Sequence, residues 1–245
     1  MAFDSAAIRA VLLDIEGTTT PVDFVYGTLF PYARTRMRDF LEQHAAQPEV
    51  ASGMEALRRE HATESQRDAT PPPWLDAPER RVDSAFAYAL WLMEQDRKST
   101  PLKSLQGRIW QAGYASGELR GQVYPDVPPA LARWKQQGRR VAIFSSGSVQ
   151  AQQLLFRHSD AGDLTPLIDA YFDTTTGPKQ HPESYHRIAA ALALPPASIL
   201  FVSDVTAELD AARAAGLQTL QCLRGGATAT RSAHAVLQDF GDLLP

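Results

Sequence analysis

"SILFVSDVTAELDAARAAG", residues 198–216, reads as a strand that passes at once into a helix. Ile199, Leu200, Phe201 and Val202 form an unbroken apolar run. A strand exposed on one face alternates apolar with polar residues, so an unbroken run belongs to a strand covered on both faces. Residues 206–216 follow as a helix, and Gly216 marks its end, where glycine adopts a left-handed conformation at little cost. The same alternation extends in both directions. "RRVAIFSS" (139–146) is a short strand and "SVQAQQLLFRH" (148–158) a helix that Ser148 can cap. "AYFDT" (170–174) is a strand. "HPESYHRIAAALAL" (181–194) is a helix with Pro182 near its start, where a missing N–H costs little. "LQTLQCL" (217–223) closes the series. Strand and helix in strict alternation predict an α/β fold: a Rossmann-like three-layer core with a mainly parallel sheet.

One further strand of this kind, "AVLLDI" (10–15), lies far upstream. Between it and residue 125 the patterns are helical. Residues 23–44 set Leu29, Phe30, Ala33, Met37, Phe40 and Leu41 on one side. Residues 78–98 are apolar at Val82, Phe86, Ala89, Leu90 and Met93. Residues 100–117 open on Thr100 and Pro101, a start signal, and end at Gly117. "ATPPPWLDAP" (69–78) reads as a proline-rich turn between helices. The expected organisation is a core of residues 1–21 and 125–245, with a helical domain, 22–124, inserted after the first strand.

Composition narrows the function classes. The 245 residues are 44% apolar, enough for a packed core. A net charge of −4 argues against nucleic-acid binding, which favours a basic excess. A single cysteine, Cys222, allows no disulfide framework and suits a reducing cytoplasm. The first ten residues lack the basic and apolar blocks of a secretory signal, and no run approaches the ~20 apolar residues that span a bilayer. The expectation is a cytoplasmic protein with no membrane partner.

In open α/β sheets, chemistry gathers at the carboxyl ends of the strands. Three such ends here carry reactive side chains: Asp14 and Glu16, then Ser145 and Ser146, then Asp204 with Glu208 one helical turn beyond. Lys179, in "TTGPKQHPE", precedes the helix before the third. Acids, hydroxyls and a lysine in this order suit phosphoryl chemistry. A carboxylate attacking a phosphate dianion meets like-charge repulsion, which a divalent cation shared by Asp14, Asp204 and the phosphate cancels. Mg²⁺ fits, since it takes oxygen ligands and keeps several waters. Lys179 and a serine hydroxyl can hold the other phosphate oxygens. Glu16 can protonate the leaving oxygen and then activate water against an aspartyl-phosphate. Singly, each element has a plainer reading: a turn, a helix cap, a solvated lysine, an exposed glutamate. Their joint occurrence at strand ends raises the odds of a site.

The order Asp-x-acid-Gly-Thr, strand-end Ser, Lys, strand-end Asp resembles the haloacid-dehalogenase-like phosphatases. Longer stretches are similar to a branch of that family working in methionine salvage: "LLDIEGTTTPVDFVYGTLFPYA", "FSSGSVQAQQLLFRHSDAGDL", "YFDTTTG", "ESYHRIA" and "SDVTAELDAARAAG". Together they span most of the chain. One departure is "CLRGGATAT" (222–230), where that branch has Arg-Pro-Gly-Asn. The resemblance implies Asp14 as nucleophile and Mg²⁺ ligand, and Asp204 as a further ligand. It implies that Glu16 ligates through its backbone carbonyl while its side chain stands at the acid/base position. Ser145 and Ser146 would bind the phosphate, Lys179 would steady phosphate and nucleophile, and the insertion would be a cap that selects substrate. The implied reaction is enolisation of 5-methylthio-2,3-dioxopentyl phosphate, then its dephosphorylation, by a monomer. Glu at position 16 is unusual in a family where Asp is the rule.

Rival readings are a related phosphatase for another small ester, a phosphorylated signalling receiver, and a binding module without activity. A receiver is about half this length and lacks the insertion. The six histidines share no metal-ligand pattern. Tyr185 reads as packing its helix onto the sheet, and Trp74, Trp91, Trp110 and Trp134 as core or cap-interface residues. Cys222 reads as an inert buried thiol. Some of Phe24, Tyr26 and Phe30 could line an apolar slot for a methylthio group.

Overall fold

The computed structural model describes residues 5–65, 70–226 and 233–245. Its main elements in chain order are β1 (Ala10–Leu13), a single turn α1 (Val22–Phe24), α2 (Phe30–His44), α3 (Pro48–Glu64), α4 (Arg81–Glu94), α5 (Thr100–Ser116), α6 (Val127–Gln136), β2 (Arg140–Phe144), α7 (Val149–Arg157), β3 (Ala170–Phe172), α8 (Pro182–Ala191), β4 (Ile199–Ser203), α9 (Thr206–Ala214), β5 (Gln218–Cys222) and β6 (Ala235–Leu237). They fall into two compact units, residues 1–25 with 120–245, and residues 26–119.

The first unit holds a six-stranded sheet in the order β3-β2-β1-β4-β5-β6, with parallel pairing throughout. This is the expected Rossmann-like α/β core. After β3 the chain crosses over β1 and adds β4 on the other side, so the order reverses at β1, the place where such sheets bind ligands. Register matters as much as order. Leu13 lies level with Ile143 of β2 and with Val202 of β4. The residues just beyond these three strands therefore emerge side by side. Every residue of β1 and β4 is buried, as their unbroken apolar runs require. One face of the sheet is sealed by α8 and α9 through Tyr185, Ile188, Leu209 and Ala212. Tyr185 packs edge-on to Phe144, with ring centroids 5.7 Å apart, and its burial stabilises the unit by roughly 2–3 kcal/mol.

Two elements of this unit escaped the sequence reading. α6 carries Pro128 and Pro129 in its first turn, which obscured it, yet Val127, Ala130, Leu131 and Trp134 form its buried stripe. β6 has two exposed residues out of three and offers no apolar signal; it exists because it pairs with β5. The junctions lie four and five residues inside those expected, at 25/26 and 119/120 instead of 21/22 and 124/125. Two backbone hydrogen bonds tie residues 121–124 to the first unit. The Tyr124 N–H donates to the Thr19 carbonyl (3.0 Å), and the Gly121 N–H to the His158 carbonyl (2.8 Å).

The second unit is helical. Here α2 and α3 each pack against both α4 and α5. α3 was not singled out from sequence, although Val50, Met54, Leu57 and His61 make its buried stripe. α4 buries Ala85, Tyr88, Ala89 and Leu92, a face rotated from the one expected. Val82, Phe86, Leu90 and Met93 are only half-buried, and Phe30 on α2 is exposed. The α5 cap is Ser99, one residue before the expected start, whose hydroxyl accepts the Leu102 N–H at 3.2 Å.

Candidate active site

Asp14 is the first residue beyond β1, and both carboxylate oxygens are occupied. Oδ1 accepts from the Ile15 N–H (2.8 Å) and from Lys179 Nζ (2.6 Å). Oδ2 accepts from the Ser203 hydroxyl (2.8 Å). Asp14 is only 2% exposed, so this set of donors replaces its lost hydration. Lys179 is held from the other side by Glu208 Oε2, also at 2.6 Å. Burial by itself favours the neutral amine, but the Asp14 and Glu208 carboxylates outweigh it and raise the lysine pKa, keeping it charged. The Tyr185 hydroxyl donates to the Lys179 carbonyl (2.6 Å), fixing the loop that delivers it.

The acids around Asp14 outnumber the cations. Burial, and then the charge of Asp14, push Asp204 up to about 6. The same causes push Glu208 up to about 7. Glu16 is raised as well, first by burial and then by Asp14, while the Ser145 hydroxyl stands 3.4 Å from one of its oxygens. Asp204 and Glu208, so placed, can exchange a proton near neutrality.

Asp204 sits beside the turn at Gly17. That glycine has φ +70°, and a Cβ there would run into the Asp204 carboxylate. The turn thus needs glycine twice, for its backbone angle and for its closeness to an acid. Asp14 and Asp204 are the side chains that could hold a metal. Among the described residues no group of three His, Cys, Asp or Glu side chains forms a ligand cluster. Two carboxylates, with the remaining positions left to backbone, water or substrate oxygens, fit a small hard cation and not a soft one. Burial first, and then the charge of Asp14, raise the affinity of Asp204 for protons, and a cation placed between the two acids would offset both.

A family model described as haloacid dehalogenase-like hydrolase matches residues 8–216. The chain belongs to that family. It is 53% identical over 238 residues to Enolase-phosphatase E1 of Synechococcus elongatus, covering 97% of this chain and 98% of that protein. It is 51% identical over 240 residues to Enolase-phosphatase E1 of Sorangium cellulosum, covering 97% of each. Among solved structures it is similar to the UTR4 protein of Saccharomyces cerevisiae, with TM-score 0.78 and 32% identity over 96% of this chain and 100% of that one. The chain is accordingly an enzyme of the haloacid dehalogenase-like hydrolase family.

Within this hydrolase the structure brings Asp14, Glu16, Ser145, Lys179 and Asp204 to one end of the sheet. Ser146 follows Ser145 but is exposed, whereas Ser145 is buried. Glu208, whose plainer reading was an exposed helix face, is instead 8% exposed and paired with Lys179. Ser203 carries no functional signal in the sequence reading, because it reads as the last residue of a buried strand. What could have marked it is chemical: a hydroxyl in an apolar run, immediately before a strand-end acid, needs a partner. Cys222 is buried as expected, and burial pushes its thiol up to about 11. Among the described residues no helix is long and apolar enough to cross a membrane.

Proposed function

We propose that this chain is a Mg²⁺-dependent enolase-phosphatase of methionine salvage. It converts 5-methylthio-2,3-dioxopentyl phosphate into the acireductone, 1,2-dihydroxy-5-methylthiopent-1-en-3-one, and phosphate. The observation that carries the phosphatase half is the buried Asp14 carboxylate, pinned by Lys179 and Ser203 where the strand order reverses. The substrate is supported by the near-full-length likeness to enolase-phosphatases.

In the first half-reaction a proton leaves the carbon bearing the phosphate ester and one is added at the neighbouring carbonyl oxygen. In the second, Asp14 attacks phosphorus, the enol oxygen leaves, and water hydrolyses the aspartyl-phosphate. Lys179 and Ser145 stand where they can hold phosphate oxygens, and Ser146 adds a second hydroxyl at the exposed side. Glu16, with its raised proton affinity, supplies the acid and then the base of the phosphoryl steps. Asp14, Asp204 and the Glu16 backbone carbonyl would hold a Mg²⁺ ion, which would supply positive charge against the phosphate dianion. An enolate is a better leaving group than an alkoxide, so less is asked of the acid, and Glu can stand where Asp is usual. The helical unit serves as the cap that selects substrate. The same reading makes the protein a cytoplasmic monomer without nucleic-acid or membrane partners, in keeping with its negative net charge.

The test is an anaerobic assay with the diketo phosphate and Mg²⁺, following the ultraviolet absorbance of the enol together with phosphate release. The two signals are expected to rise together in the wild type. Asp14→Asn is expected to abolish phosphate release and to leave enolisation intact. Phosphate release from generic esters, with no action on the diketone, refutes the substrate and moves the function to another small phosphate ester.

A further inference from the structure

The turn that carries Glu16 hands two of its carbonyls to partners elsewhere in the chain. The N–H groups of Thr18, Thr19 and Thr20 all converge on the Ile15 carbonyl, at 3.2, 3.0 and 2.9 Å. The Gly17 N–H donates to the Thr20 carbonyl at 2.9 Å. The Thr19 carbonyl is taken by the Tyr124 N–H. The Thr18 carbonyl, on a fully buried residue, accepts two hydrogen bonds from Arg224: one from Nε (3.0 Å) and one from Nη2 (2.8 Å).

Arg224 lies just beyond β5, 206 residues from Thr18, and its side chain is only 8% exposed. Its remaining edge donates from Nη1 to Asp126 Oδ2 at 2.7 Å. The guanidinium also lies 4.3 Å from the ring centroid of Tyr124 and 4.6 Å from that of Phe240. Asp126 Oδ2 in turn accepts the Phe240 N–H at 2.6 Å. One planar cation thus joins the catalytic turn to the ends of β5 and α6 and to the C-terminal segment. The turn makes four backbone hydrogen bonds of its own, which suffice for its shape. What Arg224 adds is its placement relative to the sheet.

We infer that Arg224 is a positioning residue: it holds the Ile15–Thr20 turn, and through it Glu16, at the distance from Asp14 that the phosphoryl steps require. The inference rests on the reading of Glu16 given above. The chemistry demands a guanidinium. Two donors converging on one carbonyl oxygen, a third toward a carboxylate and a flat face against two rings match a guanidinium; an ammonium meets at most part of this set. A cavity of about 360 Å³, lined in part by Gly17, Asp23, Tyr124, Asp204, Cys222 and Arg224, leaves room for a free guanidinium ion to reach the vacated place.

The experiment compares the wild type, Arg224→Ala and Arg224→Lys with Mg²⁺ and a generic aryl phosphate, without and with guanidinium chloride at concentrations far below denaturing. In Arg224→Ala kcat is expected to fall by about tenfold or more while KM moves by less than about threefold, since a small displacement of a catalytic group costs rate and not binding. Guanidinium, but not an equal concentration of ammonium, is expected to restore most of the loss. Arg224→Lys is expected to remain impaired. The inference is overturned by a wild-type kcat in Arg224→Ala, by full activity in Arg224→Lys, or by a loss that guanidinium does not relieve in a folded variant. Should Arg224→Ala not fold, Arg224→Lys decides: reduced kcat at unchanged KM supports the inference, and wild-type kcat overturns it. Because the assay uses a generic ester, failure on the diketone would refute the substrate without touching Arg224.

Discussion

Replacing Glu208 by Gln tests whether the site carries surplus negative charge. Lys179 is a single cation between Asp14 and Glu208, each 2.6 Å away, with Asp204 and Glu16 close by. Asp14 retains Ser203 and the Ile15 N–H whatever happens to Glu208. Glu208 rises from 4.5 to about 7 on folding, through burial and then the Asp14 charge. The folded state therefore binds the proton more tightly than the unfolded chain, and the resulting contribution to stability is fully present below pH 4.5. It declines as pH rises toward 7 and is absent above that. Ionising Glu208 in the folded state thus costs about 3 kcal/mol at pH 8, at about 1.4 kcal/mol for each tenfold difference in proton affinity. That cost is net of the Lys179 contact, which favours the ionised form but is outweighed by burial and Asp14; Gln keeps the shape and removes the cost. The balance at pH 8 is about 3 kcal/mol in favour of the variant, or an increase in melting temperature of about 6–12 °C. At pH 5 wild-type Glu208 is largely protonated and already neutral. There the variant gains no more than about 1 kcal/mol, and its relative stability is lower than at pH 8. The measurement is thermal unfolding of both proteins at the two pH values with EDTA present. A deficit for Glu208→Gln that grows from pH 5 to pH 8 refutes the reasoning, because it would mean that the ionised pair stabilises the fold. Activity is expected to fall by about tenfold regardless, since one of the two anchors of Lys179 becomes a neutral acceptor and holds it less firmly.

Two further outcomes concern the metal. Gly17→Ala drives a Cβ into the Asp204 carboxylate at a residue with φ +70°. The variant is expected to lose about 1–2 kcal/mol of stability and to need at least about tenfold more Mg²⁺ for half-maximal activity, which a Mg²⁺ titration of activity checks. Asp204 must be ionised to ligate a cation and is raised to about 6. Mg²⁺ affinity, measured by calorimetry, is therefore expected to climb about tenfold per pH unit below pH 6 and to level off above pH 7. An affinity independent of pH from 5 to 7 argues against Asp204 as a ligand.

The sequence by itself determined the architecture. Unbroken apolar runs at 10–13, 141–144 and 199–202 cannot tolerate water on either face, so they must lie inside a sheet covered by helices. Once the strands are parallel and in register, the residues after them must meet, so Asp14, Ser145 and Asp204 could be named before any coordinates. β6 was not legible, because no apolar spacing marks it and it is recruited by the free edge of β5; α4 carries two apolar faces, and only packing selected the one with Ala85, Tyr88, Ala89 and Leu92. Tertiary structure alone settled the partners. Ser203 and Glu208 join the site through contacts with Asp14 and Lys179, and Arg224 reaches Thr18 from 206 residues away. A chain's periodicity records which faces must avoid water. Which donor meets which acceptor across such separations depends on distances of a few tenths of an ångström, and those exist only after the elements have packed.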